Sequence, residues 1–314
     1  MISIGNIAAG GRAKTPLAGY VAARLREMGE RPAILSRGYG RRDVADGVVV
    51  VRDPGGIRSD LDRAGDEPLM LARQLEGVAV LVCPDRHLAG RLAEHHFGCT
   101  VHVLDDGFQH FALRRDADIV VVTREDLPPA DADLPPKTLP TGRLREPVDV
   151  LAAADALIRL EAGGWEPETG TWEMEAGSRK PTWQARRVQQ PVRSADPCAP
   201  ALSPADGPIV ALAGIAGRDG FFSGLRAAGW TIARDLRFRD HHRYSWADVT
   251  AIADAARACG ARAIVTTEKD LMRLLPFRPF PLPLGFAPLA VEIGAAETFD
   301  AWLKARVEAA RSPS

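Results

Sequence analysis

The sequence predicts an α/β protein: a parallel sheet with helices on both faces, and a second, smaller α/β lobe towards the C-terminus. Three observations predict it. A short apolar run at Ile2, Ile4 and Ile7 leads through a Gly-containing turn into Lys14-Thr15-Pro16 and then an amphipathic helical pattern. Short apolar runs alternate with helical periods as far as residue 160, and the alternation resumes at Ile209, the pattern of a sheet buried on both faces. The 314 residues are enough for two domains with their own cores.

The opening strand, turn and helix have the layout of a phosphate-binding loop. In such a loop backbone N–H groups at a helix N-terminus cradle phosphate oxygens, a Lys bridges the outer phosphates and a Thr hydroxyl holds Mg²⁺. That makes the first lobe P-loop NTPase-like, with Gly10, Gly11, Arg12, Ala13, Lys14 and Thr15 as the candidate nucleotide-binding set. The strict pattern has Gly where Ala8 and Ala13 stand. Ala13 fits freely only at negative φ; a left-handed Ala costs about 1 kcal/mol or more. Taken alone, the motif reads equally well as a nucleotide loop or a plain strand–turn–helix.

The following helix is marked by Leu17, Tyr20, Val21, Leu25 and Met28 and closed by Gly29. A buried strand is expected over 32–36, then a Gly-rich turn over 37–42 and a strand over 47–51. A helix over 67–75, a strand over 78–83, a helix over 87–96 and strands over 100–104 and 118–122 follow. After a Pro-rich passage over 127–147 one more strand is expected over 156–160. The polar stretch 163–200 holds Trp165, Trp172 and Trp183 without helical period and reads as β-ribbon and loop. The second lobe takes strands over 209–213, 231–235, 263–266 and 289–293, and helices over 220–228, 246–259 and 299–310. The expected division is a P-loop domain over 1–162, a ribbon or linker over 163–200 and a C-terminal α/β lobe over 201–314, with the two lobes around a cleft.

Forty Lys and Arg against 41 Asp and Glu leave a net charge of −1, so no global field draws in nucleic acid or an anionic membrane. Cys83, Cys99, Cys198 and Cys259 lie far apart and read as buried thiols of a reducing cytosol. No signal peptide is evident, and no apolar run approaches the roughly 18 residues of a membrane span. A soluble or peripheral cytoplasmic protein is expected.

Asp105 and Asp106 follow an apolar strand, the place where carboxylates face the ligand crevice of a parallel sheet. Beside a phosphate loop they read as Mg²⁺-holding acids. Gly65-Asp66-Glu67-Pro68 reads on its own as a helix cap. Arg37 and Arg41, set among glycines, make a cationic loop suited to phosphate oxygens. Arg143 and Arg145 stand in a kinked loop that otherwise reads as a solvated linker. Asp240-His241-His242 offers a His beside an acid for proton transfer, against the plainer reading of an exposed polar loop. His95-His96 reads as a helix end.

In combination the chain resembles the tetraacyldisaccharide 4′-kinase (lipid A 4′-kinase) family. The matching segments are SIGNIAAGGRAKTP at 3–16, LSRGYGRR at 35–42, GDEPLMLA at 65–72, LDDGFQH at 104–110, LPTGRLREP at 139–147, FRDHHRY at 238–244 and VTTEKDL at 265–271. The resemblance implies ATP and Mg²⁺ as cofactors and phosphoryl transfer to the 4′-hydroxyl of a tetraacyldisaccharide 1-phosphate, a lipid A precursor. It implies Lys14 on the ATP phosphates and Thr15 on Mg²⁺, with Asp105 and Asp106 as the metal-associated pair. Asp66 becomes the catalytic carboxylate, paired with His241 or His242, and Arg145 with Glu146 a substrate- or nucleotide-proximal loop. It also implies a peripheral place at the cytoplasmic face of the inner membrane; a monomer is expected, although the sequence does not itself give the oligomeric state. Two departures stand out. The family loop reads GGTGKTP, whereas Arg12 and Ala13 stand here for Thr-Gly; and the family's apolar, basic N-terminal helix is missing ahead of the loop. Either the natural start lies upstream, or this member meets the membrane by another surface. Two rival readings are a P-loop enzyme acting on a soluble metabolite and a non-catalytic binding module with a degenerate loop.

Overall fold

The computed structural model describes residues 1–10, 13–43, 46–127, 136–161, 169–173 and 179–312. Gly11 and Arg12 of the expected loop lie outside the described residues, as does Trp165. The chain forms two compact units, Met1–Arg187 with Val291–Ser314, and Val188–Ala290.

In the first unit the strands are β1 (Ile2–Asn6), β2 (Pro32–Ser36), β3 (Val49–Asp53), β4 (Gly56–Ile57), β5 (Ala79–Val82), β6 (Val101–Asp105), β7 (Ala117–Thr123), β8 (Ala156–Glu161), β9 (Thr169–Glu173) and β10 (Arg179–Gln189). The helices between them are α1 (Lys14–Glu27), α2 (Leu61–Ala64), α3 (Asp66–Gln74) and α4 (Arg86–Phe97). The second unit has β11 (Arg193–Ser194), β12 (Ile209–Ala213), β13 (Ile232–Arg237), β14 (Ala263–Thr267) and β15 (Leu284–Ala287) with α5 (Arg218–Ala227), α6 (Trp246–Ala258) and α7 (Glu268–Leu274). The chain then returns to the first unit through β16 (Leu289–Ile293) and α8 (Ala296–Arg311).

The first sheet runs β16-β10-β8-β7-β1-β6-β2-β5-β3-β4, with β9 hairpinned onto β10. From β8 to β5 its pairs are parallel. All five residues of β1 and of β6 are buried, and both strands carry polar residues among the apolar ones, Ser3 and Asn6 in β1 and His102 and Asp105 in β6. Ile4 stands opposite Asp105 on one side and Ile119 on the other. Because the chain passes from β6 to β7 across β1, β1 marks the switch in strand order. The crevice beyond its carboxyl end is where such sheets take ligands. The phosphate-loop sequence occupies that place.

The division differs from the boundaries read in the sequence. The ribbon is a part of the first sheet, since β10 pairs with β8 in parallel. The last helix also folds with the first unit. Its Phe299 is fully buried, edge-on to Trp183 at 5.2 Å, and Trp183 Nε1 donates to Thr298 Oγ1 at 2.9 Å. A cluster of large aromatic side chains decides the matter, since such rings carry most of the apolar area available for burial.

The second unit has a five-stranded sheet in the order β11-β15-β14-β12-β13, parallel except at β11. Phe221, Phe222 and Leu225 of α5 pack with Trp230 and Val265 in its core. At the base of this unit Gln190 N donates to Pro288 O at 2.8 Å. All four cysteines are free thiols; Cys83 and Cys99 are buried as expected, but Cys198 is exposed because it lies in a turn.

Candidate active site

The first unit gathers the chemistry at the carboxyl ends of β1, β6, β2 and β5. α1 starts at Lys14 without a side-chain cap, and Ala13 ahead of it takes the left-handed conformation, φ 57° and ψ 24°. Ala13 therefore keeps the backbone shape that a glycine would adopt freely, at a cost of about 1 kcal/mol or more. Lys14 Nζ sits 2.9 Å from Asn6 Oδ1 and 3.0 Å from Asp106 Oδ1. Thr15 is buried, and its hydroxyl lies 3.2 Å from Asp105 Oδ2 and 3.4 Å from Glu67 Oε2.

The two aspartates share one turn and have opposite surroundings. Asp105 is buried, and that burial, with the charges of Glu67 and Asp106, pushes its carboxyl up to about 7. Burial acts on Asp106 in the same sense, but Lys14 and then Arg145 outweigh it and hold the carboxyl below its ordinary value. Arg145 Nη1 lies 3.2 Å from Asp106 Oδ1.

The arginine loop at 139–147 is pinned to the phosphate loop. Arg145 N donates to Ile7 O at 2.6 Å, Ala9 N donates to Arg143 O at 2.8 Å, and Ala8 bridges Leu144, which is fully buried. A solvated linker would show none of this. Arg143 is held by Asp126, at 2.9 Å, whereas Arg145 faces the site.

Asp66 is the first residue of α3 and 6% exposed, directly after Gly65, whose φ of 85° only glycine adopts freely. Its Oδ1 accepts from Glu67 N at 2.9 Å. It is thus inside the helix, and Gly65 occupies the cap. Arg37 is exposed on the turn after β2 and Arg41 is half-buried.

Sequence reasoning missed Glu67 and Arg86. Glu67 reaches the Thr15 hydroxyl from the residue next to Asp66. Arg86 opens α4 after β5 and is buried; burial and the charge of Arg37 lower its pKa while Asp105 and Asp106 raise it. The signal for Arg86 was its place just past the carboxyl end of a buried strand. His110 belongs to the same field: burial, Arg86, Arg115 and Arg37 all lower its pKa. Lys14 and Arg145 thus contact the acidic turn, Arg86 shares its field, and Arg37 acts on Arg86 from the neighbouring loop.

The donor set can be tested for a metal. Thr15, Asp105 and Glu67 supply hard oxygen ligands, and a divalent cation there would relieve a buried carboxylate that is otherwise held near neutral pH. Among the described residues no group of three or more His, Cys, Asp or Glu forms a closed cage. That suits Mg²⁺, which takes one or two carboxylates together with substrate phosphates. Among the described residues Gln109 Oε1, Glu146 Oε1 and Arg41 Nη1 are buried without a hydrogen-bond partner. Such orphaned atoms are uncommon in folded proteins and call for a specific explanation. All three lie on segments that carry the site.

In the second unit the two histidines differ sharply. His242 lies against Phe238 and Tyr244, at centroid distances of 4.7 and 5.0 Å, with Nε2 at 3.4 Å from Asp248. His241 takes φ 54°, and its ring lies between Lys269 Nζ, 3.2 Å from Nε2, and Arg273 Nη2, 3.4 Å from Nδ1. His95 and His96 close α4, as expected.

With this geometry in hand, comparison with known proteins is specific. Residues 1–308 match the family model described as tetraacyldisaccharide-1-P 4′-kinase. The tetraacyldisaccharide 4′-kinase of Syntrophus aciditrophicus is 36% identical over 96% of this chain and 82% of its own length. That of Anaeromyxobacter dehalogenans is 40% identical over 88% of this chain and 72% of its own. Among solved structures, an "apo" form of LpxK from Aquifex aeolicus in complex with ATP superposes with a TM-score of 0.75 at 30% identity, covering 98% of this chain and 87% of that one.

Proposed function

The chain belongs to the tetraacyldisaccharide-1-P 4′-kinase family, and from that premise we propose that it transfers the γ-phosphate of ATP to the 4′-hydroxyl of a tetraacyldisaccharide 1-phosphate, a lipid A precursor. The observation that carries this reading is the convergence of Lys14 and Thr15 on Asp105 and Asp106 at the end of a parallel sheet. In a phosphoryl transfer the protein mainly positions the partners and stabilises charge on the transferring group. Lys14, held on Asn6 and Asp106, needs only a small movement to exchange these acceptors for phosphate oxygens. Arg37, Arg86 and Arg145 add cations around the same place. Thr15, Asp105 and Glu67 are the residues that would hold Mg²⁺. When bound, the metal neutralises phosphate charge.

The sugar hydroxyl is a weak nucleophile, so a group must take its proton. Asp66 fills that role: it is a buried carboxylate on the first turn of a helix, held to one orientation by the backbone of Glu67. Of the two histidines we assign His241 to the reaction, because its ring lies among the cations Lys269 and Arg273, whereas His242 is packed against Phe238 and Tyr244 and faces a carboxylate of its own unit. Among the described residues no helix is long and apolar enough to cross a membrane. A lipid acceptor and a nucleotide donor are reconciled by peripheral binding at the cytoplasmic face of the inner membrane.

The test is a kinase assay with ATP, Mg²⁺ and detergent-solubilised disaccharide 1-phosphate, with product analysis by mass spectrometry. A 4′-phosphorylated product is expected. ATP turnover without it would overturn the reading. Asp66→Ala should lower kcat by about 10²–10⁴-fold with KM for ATP unchanged, because a proton acceptor acts in the transition state.

A further inference from the structure

The segment VTTEKDL at 265–271 has no part in the chemistry described so far. It supplies Asp270, fully buried, and it precedes Arg273, which is 6% exposed. The carboxylate of Asp270 accepts from Gly214 N at 2.8 Å, Tyr244 OH at 3.1 Å, Thr267 Oγ1 at 2.7 Å and Arg273 Nη1 at 3.0 Å. Arg273 Nη1 donates also to Gly214 O, at 3.0 Å, and Nη2 of the same fork stands 3.4 Å from His241 Nδ1. Lys269 meets the other ring nitrogen at 3.2 Å. Gly214 O accepts in turn from His241 N, at 3.1 Å. Both the backbone and the ring of His241 are therefore reached from one buried ion pair.

His241 needs such support. Its φ of 54° is a conformation that a β-carbon disfavours, and strained residues persist only where their surroundings over-determine them. The space is also closed. A β-carbon on Gly214 would lie 3.0 Å from Asp270 Oδ1, 3.1 Å from Arg239 O and 3.3 Å from His242 Cβ. The turn after β12 and the histidine loop are thus in direct contact. Lysine and arginine are donors only, and a neutral imidazole accepts at one nitrogen. One of the two cations therefore donates to the ring while the other lies against its N–H edge, and together they bracket the ring from both sides.

We infer that Arg273, anchored by Asp270, and Lys269 are positioning residues for His241, bracketing its ring and holding it at one angle. The inference rests on the assignment of His241 to the reaction. A purely structural network would stabilise the unit without reference to the imidazole, and the two cases separate experimentally.

The test uses the full chain with Arg273→Lys, which keeps the charge beside Asp270 but loses the fork, and Lys269→Met, at a half-buried position. Each should lower kcat roughly 10- to 100-fold, the penalty of a small misplacement of a reacting group, with KM for ATP within about twofold because substrate binding is not the lesion. In a His241→Ala background neither should cause any further loss. Imidazole ¹⁵N shifts of His241 should move in both variants while those of His242 stay in place. Losses that multiply with His241→Ala, or unmoved His241 shifts, would overturn the positioning role. Should Arg273→Lys fail to fold, Lys269→Met decides by the same two readouts. If His241→Ala alone retains kcat, the assignment of His241 fails instead, and the shifts still judge the positioning.

Discussion

Asp105 and Asp270 make an instructive pair. Each is buried beside the carboxyl end of an interior strand of a parallel sheet, and they are 4% and 0% exposed. Asp270 is surrounded by donors supplied by its own unit: a backbone N–H, a phenol, a threonine hydroxyl and a guanidinium. Asp105 has the Thr15 hydroxyl and the more distant charge of Lys14, and these are outweighed by burial and the like charges of Glu67 and Asp106. A buried acid that the protein satisfies is architecture. One whose burial and like-charged neighbours outweigh its nearby cation is under-satisfied by the protein alone.

The largest effect should come from breaking the satisfied partner. Asp270→Ala would leave Arg273 buried without its carboxylate and should cost about 3–5 kcal/mol of stability, read from denaturant unfolding. A loss below about 1 kcal/mol would remove the distinction. Lys14→Ala gives the converse result. Turnover should fall by about 10²–10³-fold or more, while the melting temperature should scarcely change, because its ammonium contacts are remade with ligand.

Asp105→Asn sharpens the contrast through pH. The folded protein holds the Asp105 proton up to about pH 7, whereas an unfolded aspartate releases it near 3.9. Its contribution to stability is thus complete below about pH 4 and is lost as pH rises through 7. Ligand-free Asp105→Asn should therefore melt higher than the parent at pH 8, by roughly 2–4 °C for each kcal/mol relieved, and no higher at pH 4, while losing Mg²⁺-dependent turnover. Equal melting temperatures at pH 8 would show that Asp105 is already satisfied.

The smallest effect is expected at Ala13. Ala13→Gly relieves about 1–2 kcal/mol of left-handed strain but adds about 0.4–1 kcal/mol of chain entropy to the unfolded state. Net stabilisation should stay below about 2 kcal/mol, with KM for ATP equal or lower. A higher KM would mean that the alanine shapes the loop.

Much of the fold was legible because buried strands flanked by amphipathic helices leave a strong period. The spans of β1, β2, β8, β12, α6 and β16 read in the sequence lie within a few residues of those observed. The short strands β4, β11 and β15 left no such trace. β15 lies between Pro283 and Pro288, around Gly285, where composition signals a loop and only tertiary pairing makes a strand. The candidate site was legible wherever one segment carried the pattern, as at Lys14, Thr15, Asp105 and Asp106, which the structure brings together. Glu67 and Arg86 were hidden because their meaning is a distance between segments. So was the difference between the surroundings of His241 and His242, adjacent in sequence and set apart only by what each ring touches.

The route of the chain carries a consequence for how the protein is made. The first unit is interrupted after Arg187 and resumed at Val291, so its sheet lacks β16, and its core lacks Phe299, until nearly the whole chain has been synthesised. The second unit is continuous and can fold as soon as it emerges from the ribosome. Once folded, with Gln190 bonded to Pro288, it brings β10 and β16 to neighbouring places. A loop of roughly 100 residues, whose closure would otherwise oppose completion of the first sheet, is then already closed. Early folding of the inserted unit is therefore expected to ease completion of the first sheet, and destabilised forms of it should delay maturation of the phosphate site without altering a residue there.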